Sequence, residues 1–203
     1  GFLLMTLFGI VIFQIYEKYT EVRNKFVAGK NKHLLFSYGS NSIKQLKSRL
    51  DLKDDVKYYN AYITDYIRIF AGISKKWGGG GVASIHPSKG AILYGIAVEL
   101  TELQLNLLDT YENGYERRII KCIIENDEYQ CHVYIKKNNQ FKSFPSDDYL
   151  RAINTMLNDR ENNEDRKIFI RGVIKNKIIN FGFWTKKDGL LLKFNRDINI
   201  KCM

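Results

Sequence analysis

What most constrains this 203-residue chain is the way β-rich runs crowd around three short helical patterns. His33–Ser37 (HLLFS) is a short apolar run bounded by a glycine turn, the pattern of a buried strand. Val56–Ser74, rich in Tyr, Ile and Phe, reads as strand material with a turn inside it. Val82–Ile85 and Ala91–Glu99 read as two strands separated by a turn at His86-Pro87-Ser88-Lys89-Gly90. Tyr115–Ile124 and Glu128–Lys136 read as a hairpin turning at Asn126-Asp127. Further strands are expected in Ile168–Asn180 and Gly189–Ile200. The first helical pattern starts near Asn41 or Ser42, both good N-caps, and repeats Ile43, Leu46 and Leu50 at helical spacing. The second, Leu103–Tyr111, follows the capping box Thr101-Glu102-Leu103-Gln104. Pro145-Ser146 opens the third, which runs to Asn158 with Tyr149, Leu150, Ile153 and Leu157 on one face. Strands outnumber helices and no segment repeats, so the pattern predicts one α+β domain over residues 30–203.

Residues 1–29 stand apart as an apolar N-terminal extension and linker. Phe2–Tyr16 (FLLMTLFGIVIFQIY) carries no charge, yet its fifteen residues fall short of the roughly 18–20 that span a bilayer as a helix. No basic residues precede it and no small-residue cleavage site follows, which argues against a secretory signal. It has no polar face, so three readings stay open: a buried helix or strand, a membrane anchor, or a contact for a protein partner.

Composition excludes several classes. A hydrophobic share of 45% with 13% aromatics supplies a core and excludes a disordered chain. Three cysteines, an odd number, argue against a disulfide scaffold and for a reducing, cytoplasmic setting, in which Cys122 and Cys131, placed as cross-strand neighbours about the Asn126-Asp127 turn, read as two small apolar residues rather than a disulfide. The formal net charge of +10 raises nucleic acid as a partner, but residues 101–150, the stretch that bears the candidate acidic residues, are net −3. No run of five like charges and no zinc-finger or RNA-binding signature occurs, so no specific nucleic acid is expected.

Two elements carry chemistry. Tyr38-Gly39-Ser40-Asn41 sits at a strand-to-helix junction, where glycine permits an unusual turn and the following amides suit a carboxylate or phosphate. Leu108-Asp109-Thr110-Tyr111-Glu112 ends the capping-box helix, and Asn113-Gly114-Tyr115-Glu116-Arg117-Arg118 enters the next strand. Either element alone is ordinary: a structural turn, or a solvated acid at a helix end.

In this order they are specific, and the chain resembles the γ-glutamylcyclotransferase (AIG2-like) family. The resemblance runs from FSYGSN (Phe36–Asn41) through GGVASIHPSKGAILYGIAVELT (Gly80–Thr101) and LLDTYENGYERRI (Leu107–Ile119) to PSDDYLRAI (Pro145–Ile153), roughly residues 33–155. It implies a small mixed β-barrel with flanking helices. It also implies an enzyme that cyclises a γ-glutamyl amide to 5-oxoproline and releases a free amine or amino acid. In that reaction the substrate's own α-amine attacks its γ-carbonyl, so positioning matters more than a protein nucleophile. One carboxylate, Glu112 by the family match, serves as base and then acid, and should be partly buried with a raised pKa. The Tyr38–Asn41 turn would hold the substrate carboxylate, and Tyr115 would lie near the site. The Ser40-Asn41 pair resembles the branch acting on γ-glutamyl amino acids or dipeptides, since the glutathione-specific branch usually has Leu in place of Asn41. The partner implied is thus a small γ-glutamyl compound, with no cofactor and no metal. A fold relative that has lost activity and serves as a binding or assembly module is the alternative.

His33, His86 and His132 are scattered without ligand spacing; His86 is either a turn histidine or a neighbour of the site. Trp77 beside four glycines fits either a mobile flap or a loop with one anchoring aromatic. Arg117 and Arg118 alternate across their strand, and one of them is expected to pair with Asp109 or Glu112; a partner that close to Glu112 would hamper a proton shuttle.

Overall fold

A computed structural model describes residues 32–53, 55–138, 143–160, 168–174, 177–184 and 199–200. The apolar stretch 2–16 and most of the strand expected at 189–200 lie outside the described residues. The elements run β1 (Lys32–Ser37), α1 (Ile43–Leu50), β2 (Tyr58–Ser74), β3 (Gly80–Thr101), α2 (Glu102–Tyr111), β4 (Tyr115–Ile124), β5 (Asp127–Lys136), α3 (Asp147–Asn158), β6 (Ile168–Ile174), β7 (Lys177–Trp184) and β8 (Asn199–Ile200). The architecture is α+β, as expected.

Strand pairing explains the barrel-like shape. β2 lies antiparallel to β3, β3 to β1, and β4 to β5, while β1 runs parallel to β5. The ring closes where β4 meets β2, through the single pair Tyr62↔Ile123, so it is barrel-like rather than laddered all round. β6, β7 and β8 branch outward from β2, with Ile69↔Val173 as the joint. Leu35, Ile63, Phe70, Ile96 and Leu100 fill the interior. Each such side chain contributes about 1.5–3 kcal/mol on leaving water.

The helices form where their caps and apolar spacings place them. Ser42 caps α1 by accepting from the Gln45 amide, and Ile43, Leu46 and Leu50 are its buried face. Thr101 and Gln104 close the predicted capping box of α2. Ser146 caps α3, which buries Tyr149, Leu150, Ile153 and Leu157. Asp159, just past α3, accepts from the Ile43 amide at 2.6 Å and so ties α3 to the start of α1. Among the described residues no helix is long and apolar enough to cross a membrane.

Three local expectations change. The turn expected at residues 86–90 is instead a bulge inside one 22-residue strand. There β2 advances from Thr64 to Tyr66 while β3 runs from Ile92 back to Pro87. Gly90 at φ 78 and Asp65 at φ 61 absorb the mismatch, and the Gly90 amide donates to the Asp65 carboxylate at 2.7 Å. The β4–β5 hairpin turns one residue earlier, on Glu125-Asn126, both at positive φ. Cys122 and Cys131, expected as two separate apolar residues, are joined in a buried disulfide across that hairpin. The hairpin register brings their side chains to the same buried face, as their near-symmetric placement about the turn suggests; the odd cysteine count is what argues for leaving them unbonded.

Candidate active site

The turn after β1 is held from three sides. The buried Arg68 of β2 donates through Nε and Nη2 to the Tyr38 carbonyl, at 3.2 and 2.8 Å. The Tyr38 hydroxyl donates to the Tyr134 carbonyl at 2.5 Å. Ser37 Oγ donates to the Asn41 carbonyl at 2.7 Å. Among the described residues nothing accepts from the amides of Gly39, Ser40 and Asn41, and all three residues line the same cleft. That is the arrangement expected of an anion cradle ahead of a helix. Gly39 is needed for space rather than for a left-handed backbone. A Cβ there would sit 3.1 Å from the Tyr149 hydroxyl oxygen.

α2 delivers the acid. The Glu112 amide still donates to Leu108, closing the helix, and the Tyr115 amide donates back to the Glu112 carbonyl before β4 begins. The Glu112 side chain is only 13% exposed, so the expected partial burial holds. Its Oε1 accepts from Asn41 Nδ2 at 3.1 Å and from Arg49 Nη1 at 2.8 Å. Arg49 Nη1 also donates to Asn41 Oδ1 at 2.9 Å. The three side chains therefore form a closed set that joins the two sequence motifs directly. Among the described residues no group bonds Glu112 Oε2, which leaves that oxygen for a ligand's proton.

Between these groups lies a cleft of about 320 Å³, within the range of small-molecule sites. Aromatic side chains form its wall. Tyr149 accepts from the Ala83 amide at 2.9 Å, and Tyr115 donates to the Ala83 carbonyl at 2.8 Å. Trp77 packs edge-on against Tyr149 with ring centres 5.2 Å apart, so it is an anchored part of the wall. Burial pushes the Tyr149 hydroxyl up to about 12 and holds those of Tyr38 and Tyr115 well above their usual value, so these phenols stay neutral. Burial also lowers Arg68 to about 10, which leaves it charged at neutral pH. Lys76 and Lys136 add positive charge beside the cleft.

The structure thus brings Tyr38, Gly39, Ser40, Asn41, Glu112 and Tyr115 to one cavity. The expected pairing of one strand arginine with Asp109 is observed. Arg117 pairs with Asp109 and Glu102 at 3.3 and 3.1 Å, and Arg118 pairs with Glu116 at 2.7 Å. The cation on Glu112 is Arg49, which no motif in the sequence marks. Arg68 was also missed, although an arginine between two isoleucines in a strand is a signal for a buried, partnered charge. His86 is exposed and does not line the cleft. His33 and His132, far apart in sequence, meet edge-on at 5.3 Å beside Glu102 at the start of α2. Burial first, and then Arg117 and His33, lower the His132 pKa.

Residues 35–151 match the family described as Gamma-glutamyl cyclotransferase, AIG2-like. Among solved structures, one described as a gamma-glutamyl cyclotransferase is similar at 24% identity and a TM-score of 0.55, covering 61% of this chain and 77% of its own. The crystal structure of an uncharacterized protein from Homo sapiens is similar at 26% identity and a TM-score of 0.55, covering 62% of this chain and 78% of its own. No curated protein matches the chain.

Proposed function

The chain belongs to the Gamma-glutamyl cyclotransferase, AIG2-like family, and from that premise we propose that it cyclises a γ-glutamyl amide to 5-oxoproline. The amides of residues 39–41 receive the substrate's α-carboxylate. Glu112 Oε2 takes a proton from the α-ammonium group. The freed amine attacks the γ-carbonyl carbon, a C–N bond closes the five-membered lactam, and the original amide C–N bond breaks. The proton on Glu112 passes to the departing nitrogen, and the second proton that the attacking nitrogen sheds on becoming the lactam N–H follows through the regenerated carboxylate, so the amine leaves as an ammonium ion. Reactants already joined in one molecule need orientation above all, and the aromatic walls supply it. Tyr115 and Tyr149 serve as neutral walls whose hydroxyl groups are engaged with Ala83.

The observation that carries this reading is the 3.1 Å bond from Asn41 to Glu112, which sets the acid beside the carboxylate cradle within one cleft. Ser40 and Asn41 favour γ-glutamyl amino acids or dipeptides over glutathione as substrates. The test is 5-oxoproline release from γ-glutamyl-alanine and from glutathione, by wild type and by Glu112→Gln. Release from γ-glutamyl-alanine that Glu112→Gln abolishes is the expected result, and a fully active Glu112→Gln enzyme would remove Glu112 from the mechanism.

A second reading, a catalytically silent member that binds ligands at the same turn, draws on the Arg49–Glu112 ion pair at 2.8 Å. With one oxygen already engaged by a guanidinium and an amide, Glu112 can serve to position Asn41 rather than to move a proton. This reading predicts thermal stabilisation by γ-glutamyl compounds with no 5-oxoproline formed from any of them.

A further inference from the structure

We propose that His33, Glu102 and His132 bind a divalent transition-metal ion of the zinc class, with water as the fourth ligand. No sequence spacing suggests this trio, because its members come from β1, the first residue of α2 and β5. The fold assembles them. β1 and β5 run parallel with Leu35 opposite His132, and His33, two residues before Leu35, shares that face. α2 starts over the same face and lays Glu102 beside both rings. One ligand atom from each residue falls within 4.8 Å of the others.

The spacing suits tetrahedral zinc. Ligand atoms 2.0–2.1 Å from such an ion lie about 3.3 Å apart. His33 Nε2 and Glu102 Oε2 are already 3.4 Å apart. The third ligand atom needs to move in by at most about 1.5 Å, a small rotation for half-exposed side chains. Glu102 is also held as a ligating carboxylate is in known sites, by a hydrogen bond to its outer oxygen. Arg117 Nη2 takes Oε1 at 3.1 Å, which turns Oε2 toward the histidines. Asn106 Oδ1 at 2.9 Å and Asp109 Oδ2 at 3.3 Å hold Arg117 in turn. Two carboxylates against one guanidinium leave a net negative charge for the incoming cation. Two imidazoles and one carboxylate prefer zinc, cobalt, nickel or copper to magnesium or calcium. A bound ion would pin the start of α2 to two strands of the ring, while the other end of the same helix carries Glu112.

The test uses the full chain stripped with EDTA, titrated with Zn²⁺ by calorimetry and by thermal melting, with Mg²⁺ as the comparison. One equivalent of Zn²⁺ binds and raises Tm, and Mg²⁺ does neither. His33→Ala, His132→Ala and Glu102→Gln each weaken Zn²⁺ binding more than about tenfold, while Glu128→Gln on the far hairpin does not. Melting of each variant without metal confirms that it is folded, and the half-exposed His33→Gln replaces any variant that is not. A wild-type chain that binds no Zn²⁺, or one whose binding survives both histidine substitutions, overturns the proposal.

Discussion

The two ends of α2 present the same chemical pair in different surroundings. At its C-terminal end Glu112 meets Arg49 at 2.8 Å, with each side chain 13% exposed. At its N-terminal end Glu102 meets Arg117 at 3.1 Å, with side chains 37% and 19% exposed. The first pair borders a wall of buried phenols, where a charge interaction is strong and its geometry fixed. The second faces water, which screens it and leaves its other oxygen open to the histidines. Position at one end or the other of α2 thus decides whether a carboxylate is a held, buried group or a hydrated surface group. The difference is one of burial and not of residue type.

The largest effect should come from removing the acid at the buried end. Glu112→Gln keeps the shape and the Asn41 contact but cannot carry a proton. The rate of 5-oxoproline formation should fall about 10²–10⁴-fold, with ligand binding by calorimetry largely retained. Loss of binding with no specific loss of rate would make Glu112 a binding group and break the contrast.

The dryness of that end has its own signature at high pH. An unfolded tyrosine ionises near 10, whereas burial holds Tyr149 at about 12 in the folded chain. The unfolded state therefore releases its proton first, and the stabilisation is complete below pH 10 and lost as pH rises from 10 to 12. The shift is worth roughly 2–3 kcal/mol, read as a falling urea midpoint over that interval. Tyr149→Phe should flatten the fall, though it costs stability at neutral pH because the Ala83 amide loses its acceptor. A midpoint unchanged between pH 10 and 12 would mean that the wall is wetter than the structure shows.

Much of this contrast could be read from the chain, and what could not has a common cause. The caps at Ser42, Thr101 and Ser146 rest on neighbouring residues, and all three helices start where those residues place them. Glu112 and the Tyr38–Asn41 turn came from motifs that are local strings. Arg49, Arg68 and the meeting of His33 with His132 depend on strand register and helix docking across 30 to 100 residues, which no local pattern encodes. The bulge at residues 86–90 likewise depends on pairing with another strand, whereas the two cysteines are only 9 residues apart, and it is the odd cysteine count that argues against their bond. For the bulge, Pro87 and Gly90 gave the usual turn signal, and long pairing with β2 overrode it.

Arg49 sharpens the comparison at intermediate size. It bridges Glu112 and Asn41, so Arg49→Gln should release both and lower kcat about tenfold, close to 1.4 kcal/mol of barrier. Arg49→Lys should restore part of the loss, and KM should change less than kcat if Arg49 positions the acid without touching substrate. A faster Arg49→Gln enzyme would instead show that the ion pair restrains Glu112.

At the exposed end the backbone cap should matter more than the charges. Thr101 Oγ1 accepts from the Gln104 amide, and Gln104 Oε1 accepts from the Thr101 amide. Thr101→Ala should cost about 1 kcal/mol in urea unfolding, with the rate of the folded enzyme unchanged because Glu112 lies at the far end. A rate that falls with the cap would mean that strain at the start of α2 reaches the acid.

The smallest effect should come from Glu102→Gln in metal-free buffer. The substitution removes the ion pair to Arg117, the weak contact to His33 and one favourable charge in the first turn of α2. Each is a part-exposed interaction, and Arg117 keeps Asp109 and Asn106 as partners. The total should stay below about 1 kcal/mol in urea unfolding. About 1 M salt, which shortens the screening length to roughly 3 Å, should reduce the difference further. A cost above about 2 kcal/mol that salt leaves intact would place Glu102 in the buried class with Glu112, and the two ends of the helix would then differ in ligand but not in kind.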